Sequence, residues 1–364
     1  MLDPELARIG LDLAACPTAA GCEDHVIAYI KAALASLPHL ALRQDEFGNL
    51  IARYEYAATG REPVRLVAHM DHPAFFVQRT EGAAELHFRG GVEERYFAGR
   101  KIVFYRRAEP KPLGKAVISG VHFSRDLQPV EVDRPIPDEA DFATWDLPRA
   151  RCTSRLFVSP ACDDLVQVAT MVALLRRLAA ELASACVEAL FTRAEEIGFH
   201  GALAALKARE PLQPMATVSL EASSARGFAR LHAGPIVRVG DRSSVFDSRV
   251  TAWLETAFAG LHRLVPETKH QRLLMGGGTC EGTVFHRAGL PTGALCVALR
   301  NYHNMGPGGQ IRSESVSLDD WQGLYDFLHF LATKAPTLAE SSAAIDARFV
   351  RLEEKAVAFL GPKM

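Results

Sequence analysis

Five short polar motifs carry residue types that can do chemistry: His69-Met70-Asp71, Asp163-Asp164, Glu195-Glu196, Glu221 and His303. Each sits at the end of a short apolar run of the kind that forms a strand, and open α/β sheets place their ligand crevice at strand ends. Taken singly, each has an ordinary structural explanation. A His-x-Asp after a strand can be a hydrogen-bonded loop pair. Asp163-Asp164 ahead of a helix can be an N-cap with a first-turn acid, and Glu195-Glu196 can favour the positive start of a helix. Together they say more. Two imidazoles and at least three carboxylates supply the neutral nitrogens and anionic oxygens that Zn²⁺ or Co²⁺ take, without the thiolates of structural zinc sites. Carboxylates gathered at one sheet edge repel and shift towards protonation unless a cation holds them, so the acids argue for bound metal.

The elements that must position these residues are legible from periodicity. EDHVIAYIKAALAS (23–36) places Val26, Ile27, Ile30, Ala33 and Leu34 at helical spacing, and LALRQDEFGNLIARY alternates around an Asp/Gly/Asn turn as a hairpin does. VRLVAH (64–69) is a strand apolar on both faces and ends at His69. From about Phe75 to Arg151 the texture changes to short runs, KIVFY and KAVISGV among them, broken by Gly and Pro. That stretch predicts a small all-β insert. LVQVATMVALLRRLAAEL then aligns Leu165, Val168, Met171, Val172, Leu175 and Leu178 as a long helix. VEALF, ATVSL and TGALCVAL alternate with helices around GALAALKA and DDWQGLYDFLHFLAT, which favours a sheet covered on both sides.

The fold class expected is therefore α/β: a mostly parallel sheet with helices on both faces, interrupted by a small all-β domain. The catalytic domain is expected over 1–75 and 153–340, the insert as a lid or oligomerisation arm over 76–152, and a helical tail over 341–364. At 364 residues, two units fit a prior of about 150 residues per domain. Lys and Arg number 41 against 43 Asp and Glu, which removes the positive field that nucleic acid or an anionic membrane requires. The acids of the opening MLDPELARIGLDLAAC and the lack of a long apolar run lead to the expectation of a cytoplasmic protein, and seven scattered cysteines without a Cys-x-x-Cys pair to the expectation of reduced thiols. Gly276-Gly277-Gly278 lacks the Lys-Ser/Thr of a phosphate loop, which argues against nucleotide binding.

LVAHMDH (66–72), ACDDL (161–165), FTRAEEIGFHGA (191–202), VSLEAS (218–223), GGGTCEGTVF (276–285) and RNYHN (300–304), in that order, resemble a known family. It is that of the di-metal aminopeptidases, which includes glutamyl, deblocking and tetrahedral self-compartmentalising enzymes, some labelled endoglucanases. The resemblance spans roughly residues 15–335 and includes GGVEERYFAGRKI in the β insert. It implies that His69, Asp163 and Glu221 hold one metal ion and Asp163, Glu196 and His303 a second, with Asp163 as the bridge and zinc the expected metal, cobalt the other possibility. It further implies that Asp71 accepts the second ring N–H of His69, that Glu195 serves as base, and that the Asp163-Asp164 bond is cis. The pattern departs from the family at Glu221, where the family has Asp, and at Gly278-Thr279-Cys280-Glu281, where the family has Gly-Thr-Asp. His72 reads as a supporting or exposed residue rather than a third imidazole ligand, and Cys162 and Cys280 as buried, inert thiols.

What the resemblance implies is a metal-dependent aminopeptidase acting on peptides. Two ions about 3.5–4 Å apart lower the pKa of a shared water towards roughly 7, and Glu195 takes its proton and hands it to the leaving amine. An N-acyl amino acid deacylase or carboxypeptidase of aminoacylase type can share the same shell, and a degenerate metal-binding scaffold would keep the fold alone. The resemblance also implies a homo-oligomer, because inserts of this kind help assemble dimers into larger closed particles in the family, and so small a β unit gains from a partner.

Overall fold

The computed structural model describes residues 2–80, 83–123, 128–225 and 227–361. Parts of the expected insert (81–82 and 124–127) and the last three residues of the expected tail lie outside the described residues. The chain opens with α1 (Pro4–Leu13) and α2 (Asp24–Leu34), followed by β1 (Leu40–Gln44), β2 (Leu50–Tyr56) and β3 (Val64–His69). Six strands follow: β4 (Ala74–Thr80), β5 (Ala83–Arg89), β6 (Lys101–Tyr105), β7 (Gly114–Val121), β8 (Gln128–Val132) and β9 (Phe142–Trp145). Then come β10 (Arg151–Cys152), β11 (Leu156–Ser159), α3 (Leu165–Glu181), β12 (Ala185–Thr192), α4 (His200–Ala205), β13 (Ala216–Ser224), β14 (Ile236–Gly240) and α5 (Ser248–Leu264). The chain ends with β15 (Gln271–Leu274), α6 (Glu281–Arg287), β16 (Thr292–Arg300), β17 (Glu314–Ser317), α7 (Leu318–Thr333) and α8 (Leu338–Leu360).

An 11-stranded sheet runs in the order β1-β2-β12-β3-β13-β16-β17-β11-β10, with β14 and β15 attached beside β16. Its centre, β12-β3-β13-β16, is parallel. These four strands are buried over nearly every residue, as apolar runs covered on both faces must be. α3 packs against this centre with Leu165, Val168, Met171, Val172, Leu175 and Leu178 all buried, and Val166, Ala169, Thr170, Ala173 and Leu174 are buried too, so the helix is covered well beyond its predicted face. Antiparallel strands complete both edges. The α/β class and the separate β unit are as expected, and the centre of the sheet carries the parallel ladders.

Strands β4–β9 close into a barrel in the order β4-β5-β8-β7-β6-β9. Phe75, Phe88, Phe97 and Trp145 fill it, several of them edge to face with ring centroids 4.7–6.2 Å apart. The chain enters the barrel five residues after His69 and returns to the large sheet before Asp163. The link between β5 and β6 reaches back: Tyr96 donates its hydroxyl to the Gly306 carbonyl at 3.1 Å. At the far end of the chain a capping box at Thr337 and Glu340 starts α8, most of which is exposed. Among the described residues no helix is long and apolar enough to cross a membrane.

Candidate metal centre

The large sheet brings all five sequence motifs together at the carboxyl edge of its parallel centre, four of them from strands of that centre and Asp163 from the flanking β11. His69 is the last residue of β3, Glu195 and Glu196 lie in a one-turn helix just past β12, and Glu221 lies towards the end of β13. His303 sits in the turn after β16 with φ 53°, a left-handed conformation that swings its ring inward. Asp163 comes from the β11–α3 junction, and its peptide bond to Asp164 is cis.

Asp163 stands between two imidazoles: its Oδ1 is 3.4 Å from His69 Nε2 and its Oδ2 is 3.7 Å from His303 Nε2. Glu196 Oε1 is 3.2 Å from His303 Nε2, and Glu195 Oε2 is 4.0 Å from His69 Nε2. One set of donor atoms, His69, Asp163 and Glu221, lies within 4.8 Å of one another; a second, Asp163, Glu196 and His303, does the same. A third overlapping set joins His69 to Glu195 and Glu196. The ring orientations suit ligation. His303 Nδ1 faces the Gly91 carbonyl at 2.8 Å and His69 Nδ1 the Asp71 carbonyl at 3.2 Å, so a proton on Nδ1 would find an acceptor there while Nε2 is turned to the carboxylates.

The electrostatics ask for a cation. Burial pushes the Glu195 carboxyl well above the usual range, and Glu221 up to about 7. For His303, burial pulls the pKa down, but the neighbouring Glu196 and Asp163 charges outweigh it and hold the ring at about 9. His69 is raised in the same way, with Glu195 and Asp163 overcoming burial. Raised values of this kind are what crowded, buried carboxylates and imidazoles show when no cation stands among them. Asp163 Oδ1 and Glu196 Oε1 are buried and face the imidazole Nε2 atoms without a well-formed hydrogen bond, an arrangement that leaves room for a metal between them. The donor set therefore fits divalent metal.

Several further contacts surround the cluster. The Asp71 carboxylate lies 3.5 Å from His69 Nδ1, and its two oxygens accept the backbone N–H groups of Glu195 at 2.9 Å and Glu196 at 3.1 Å. It thus faces the His69 ring and fixes the backbone of the paired glutamates together. Asp164 takes the N-cap position of α3 but makes no cap hydrogen bond, and both its oxygens are buried and unpartnered. The desolvated carboxyl is held well above its usual pKa. His72 is buried, with Nδ1 2.6 Å from the Asp163 carbonyl oxygen and Nε2 3.0 Å from Asn304 Oδ1, which makes it a support for Asp163. Cys162 and Cys280 are buried thiols, their pKa values raised by burial.

Two residues carried no signal in the sequence. Glu314, the first residue of β17, accepts the N–H groups of Cys162 and Asp163 on Oε2 and that of His303 on Oε1. Arg238 of β14 is buried in the wall of a cavity of about 800 Å³ that opens on the cluster and is also lined by Phe199, Phe228 and Tyr302. It donates to Ser223 Oγ at 3.0 Å, while its Nε has no partner.

A parallel-centred sheet that gathers two histidines and a ring of carboxylates at its carboxyl edge, beside a cavity of about 800 Å³, fits a hydrolase of the peptidase class. The particular resemblance follows: residues 138–308 match the family model of the M42 glutamyl aminopeptidases, and the resemblance read from the ordered motifs holds. The match supports a metal-dependent aminopeptidase. Solved structures share the fold. An aminopeptidase from the archaeon Desulfurococcus kamchatkensis is similar at 20% identity and a TM-score of 0.72, covering 93% of this chain and 97% of its own. A TET aminopeptidase from a marine-sediment Thaumarchaeota archaeon is similar at 16% identity and a TM-score of 0.74, covering 94% and 99%. The Pyrococcus horikoshii TET1 peptidase, described as assembling into a tetrahedron or a large octahedral shell, is similar at 21% identity and a TM-score of 0.68, covering 87% and 96%.

Proposed function

We propose that this chain removes amino-terminal residues from peptides by hydrolysis at a dinuclear metal centre, with zinc as the metal. The observation that carries the reading is the position of Asp163, one oxygen towards His69 and the other towards His303. His69, Asp163 and Glu221 would hold one ion, and Asp163, Glu196 and His303 the other. When bound, the ions supply the positive charge that lowers the pKa of water and polarises the scissile carbonyl. Glu195 is the residue that moves the proton. It is not needed to complete either ligand set, and its carboxyl, 4.0 Å from His69 Nε2, stands where it can accept a proton from water and return it to the leaving amine. Asp71 fixes the backbone from which Glu195 and Glu196 diverge, so two adjacent glutamates divide two roles.

The remaining carboxylates beside the cluster suit a free α-ammonium group on the substrate. The buried guanidinium of Arg238 in the cavity wall favours an acidic first side chain. The barrel, entered and left between two proposed ligands, acts as a lid: the β5–β6 link supplies the Gly91 carbonyl that orients His303. A homo-oligomer built through the barrel, in the cytoplasm, completes the reading and is supported by the assemblies described for the similar TET1 peptidase. The test is a panel of aminoacyl-arylamides with and without N-acetylation. Turnover of free-amine substrates alone is expected; turnover of the acetylated forms alone would favour an aminoacylase-type deacylase.

A further inference from the structure

Helix α8 begins against α5 and then leaves the body. Ser341 is its one buried residue, and every position from Asp346 to Leu360 is exposed. A free helix of this length is marginal in water unless an apolar face is covered. Phe349, Leu352 and Phe359 on that free part are about half exposed or more.

Their spacing is regular. Ile345, Phe349, Leu352, Ala356 and Phe359 repeat at alternating intervals of four and three, the seam of a left-handed coiled coil. With Leu352 and Phe359 at d positions and Phe349 and Ala356 at a positions, Asp346 and Glu353 fall at e, and Arg348 and Lys355 at g. Val350, Val357 and Leu360 lie beside the seam on the e side. Among the described residues, none of these four flanking charges makes an ion pair within the chain.

We propose that α8 pairs in parallel with the same helix of a second copy of this chain. The charges select both partner and direction. In a parallel pair each g residue faces the e residue of the next heptad across the seam, which sets Arg348 against Glu353 of the partner subunit, and the reverse by symmetry. Antiparallel pairing sets g against g and e against e, so that Arg348 and Lys355 face cations and Asp346 and Glu353 face acids. A membrane surface is a poorer occupant. Acids on α8 (Glu340, Asp346, Glu353, Glu354) outnumber bases (Arg348, Arg351, Lys355), whereas helices that lie on anionic lipid are basic.

The inference is independent of the catalytic reading, and cross-linking of the full-length chain tests it. In a Cys152→Ser background, which removes the one exposed cysteine, Leu352→Cys and Phe359→Cys are oxidised separately and run on a non-reducing gel. Each should give a disulfide-linked dimer, since d positions of a parallel pair meet themselves. A dimer at only one of the two positions would overturn the parallel arrangement, and no dimer at either would overturn the pairing. Arg348→Glu should lower cross-linking through Leu352→Cys several-fold, and adding Glu353→Arg should restore it. Indifference to both charge changes would overturn the proposal, as would sedimentation with phosphatidylserine vesicles in place of dimerisation.

Discussion

Glu314 Oε2 accepts the backbone N–H of Asp163 at 3.0 Å, a contact that ties the shared carboxylate's own peptide unit to strand β17. The second oxygen of Glu314 accepts the His303 N–H at 2.7 Å. One buried side chain thus sets the turns that carry Asp163 and His303, which come from distant parts of the sequence. Burial raises its pKa to about 7. Glu314→Ala should weaken metal binding by about 10- to 100-fold, the range for lost support of a ligand. Metal titration of the stripped protein measures this, and an unchanged affinity would reduce Glu314 to a purely structural role.

Glu195→Gln should leave metal content and melting temperature near those of the parent chain and lower kcat by about 10²- to 10⁴-fold, the usual worth of a general base. An amide of the same shape cannot take a proton from water. Glu196→Gln should differ in kind, lowering metal affinity before kcat. Near-parental turnover by Glu195→Gln would move the base role to another residue.

These two neighbours illustrate what the sequence could and could not convey. Acids and imidazoles at the ends of apolar runs are legible, because a buried parallel strand leaves few other uses for a terminal His69 or Glu196. The cis bond at Asp163 and the proposed ligand sets were accessible only through the resemblance, since one-dimensional spacing does not say which strand ends are neighbours. Glu314 was hidden for a physical reason: in RSESVSLDD it reads as part of a polar approach to the N-terminus of α7. Its importance comes from three backbone donors, two of which lie more than 150 residues away in the chain. Arg238 was hidden in the same way, a single cation in an otherwise ordinary strand. Helices α1 and α5 were also missed, although Asp3 and Asp247 cap them with side-chain oxygens.

Arg238→Ala should lower kcat/KM for a glutamyl-arylamide more than for a leucyl-arylamide. A lost hydrogen bond to a charged group contributes about 1.5–3 kcal/mol, or roughly 10- to 150-fold. The ratio of the two substrates is the quantity to measure. An equal loss on both would mean that Arg238 shapes the cavity without selecting the side chain.

Glu281 reports the charge balance beside the cluster. It is fully buried, accepts from Thr192 Oγ1 at 2.8 Å, and burial pushes its pKa up to about 8 from 4.5. Its folded pKa lies above the unfolded one, so the metal-stripped folded chain keeps a proton that the unfolded chain releases. Stability is accordingly lost as pH rises from 4.5 to about 8, by at most about 1.4 kcal/mol per pH unit. Glu281→Gln keeps an acceptor for Thr192 and does not titrate. In urea unfolding of chelator-treated protein it should gain on the parent chain between about pH 5 and pH 8. A difference that does not change with pH would contradict the assignment.

Metal stoichiometry is the most direct test of the dinuclear centre. Elemental analysis of fresh, metal-replete protein should find close to two divalent ions per chain, because Asp163 faces both histidines and each set has two further ligands of its own. Asp163→Ala should lose both ions together. At most one ion in the parent chain, or an Asp163→Ala variant that keeps its full complement, would contradict the account.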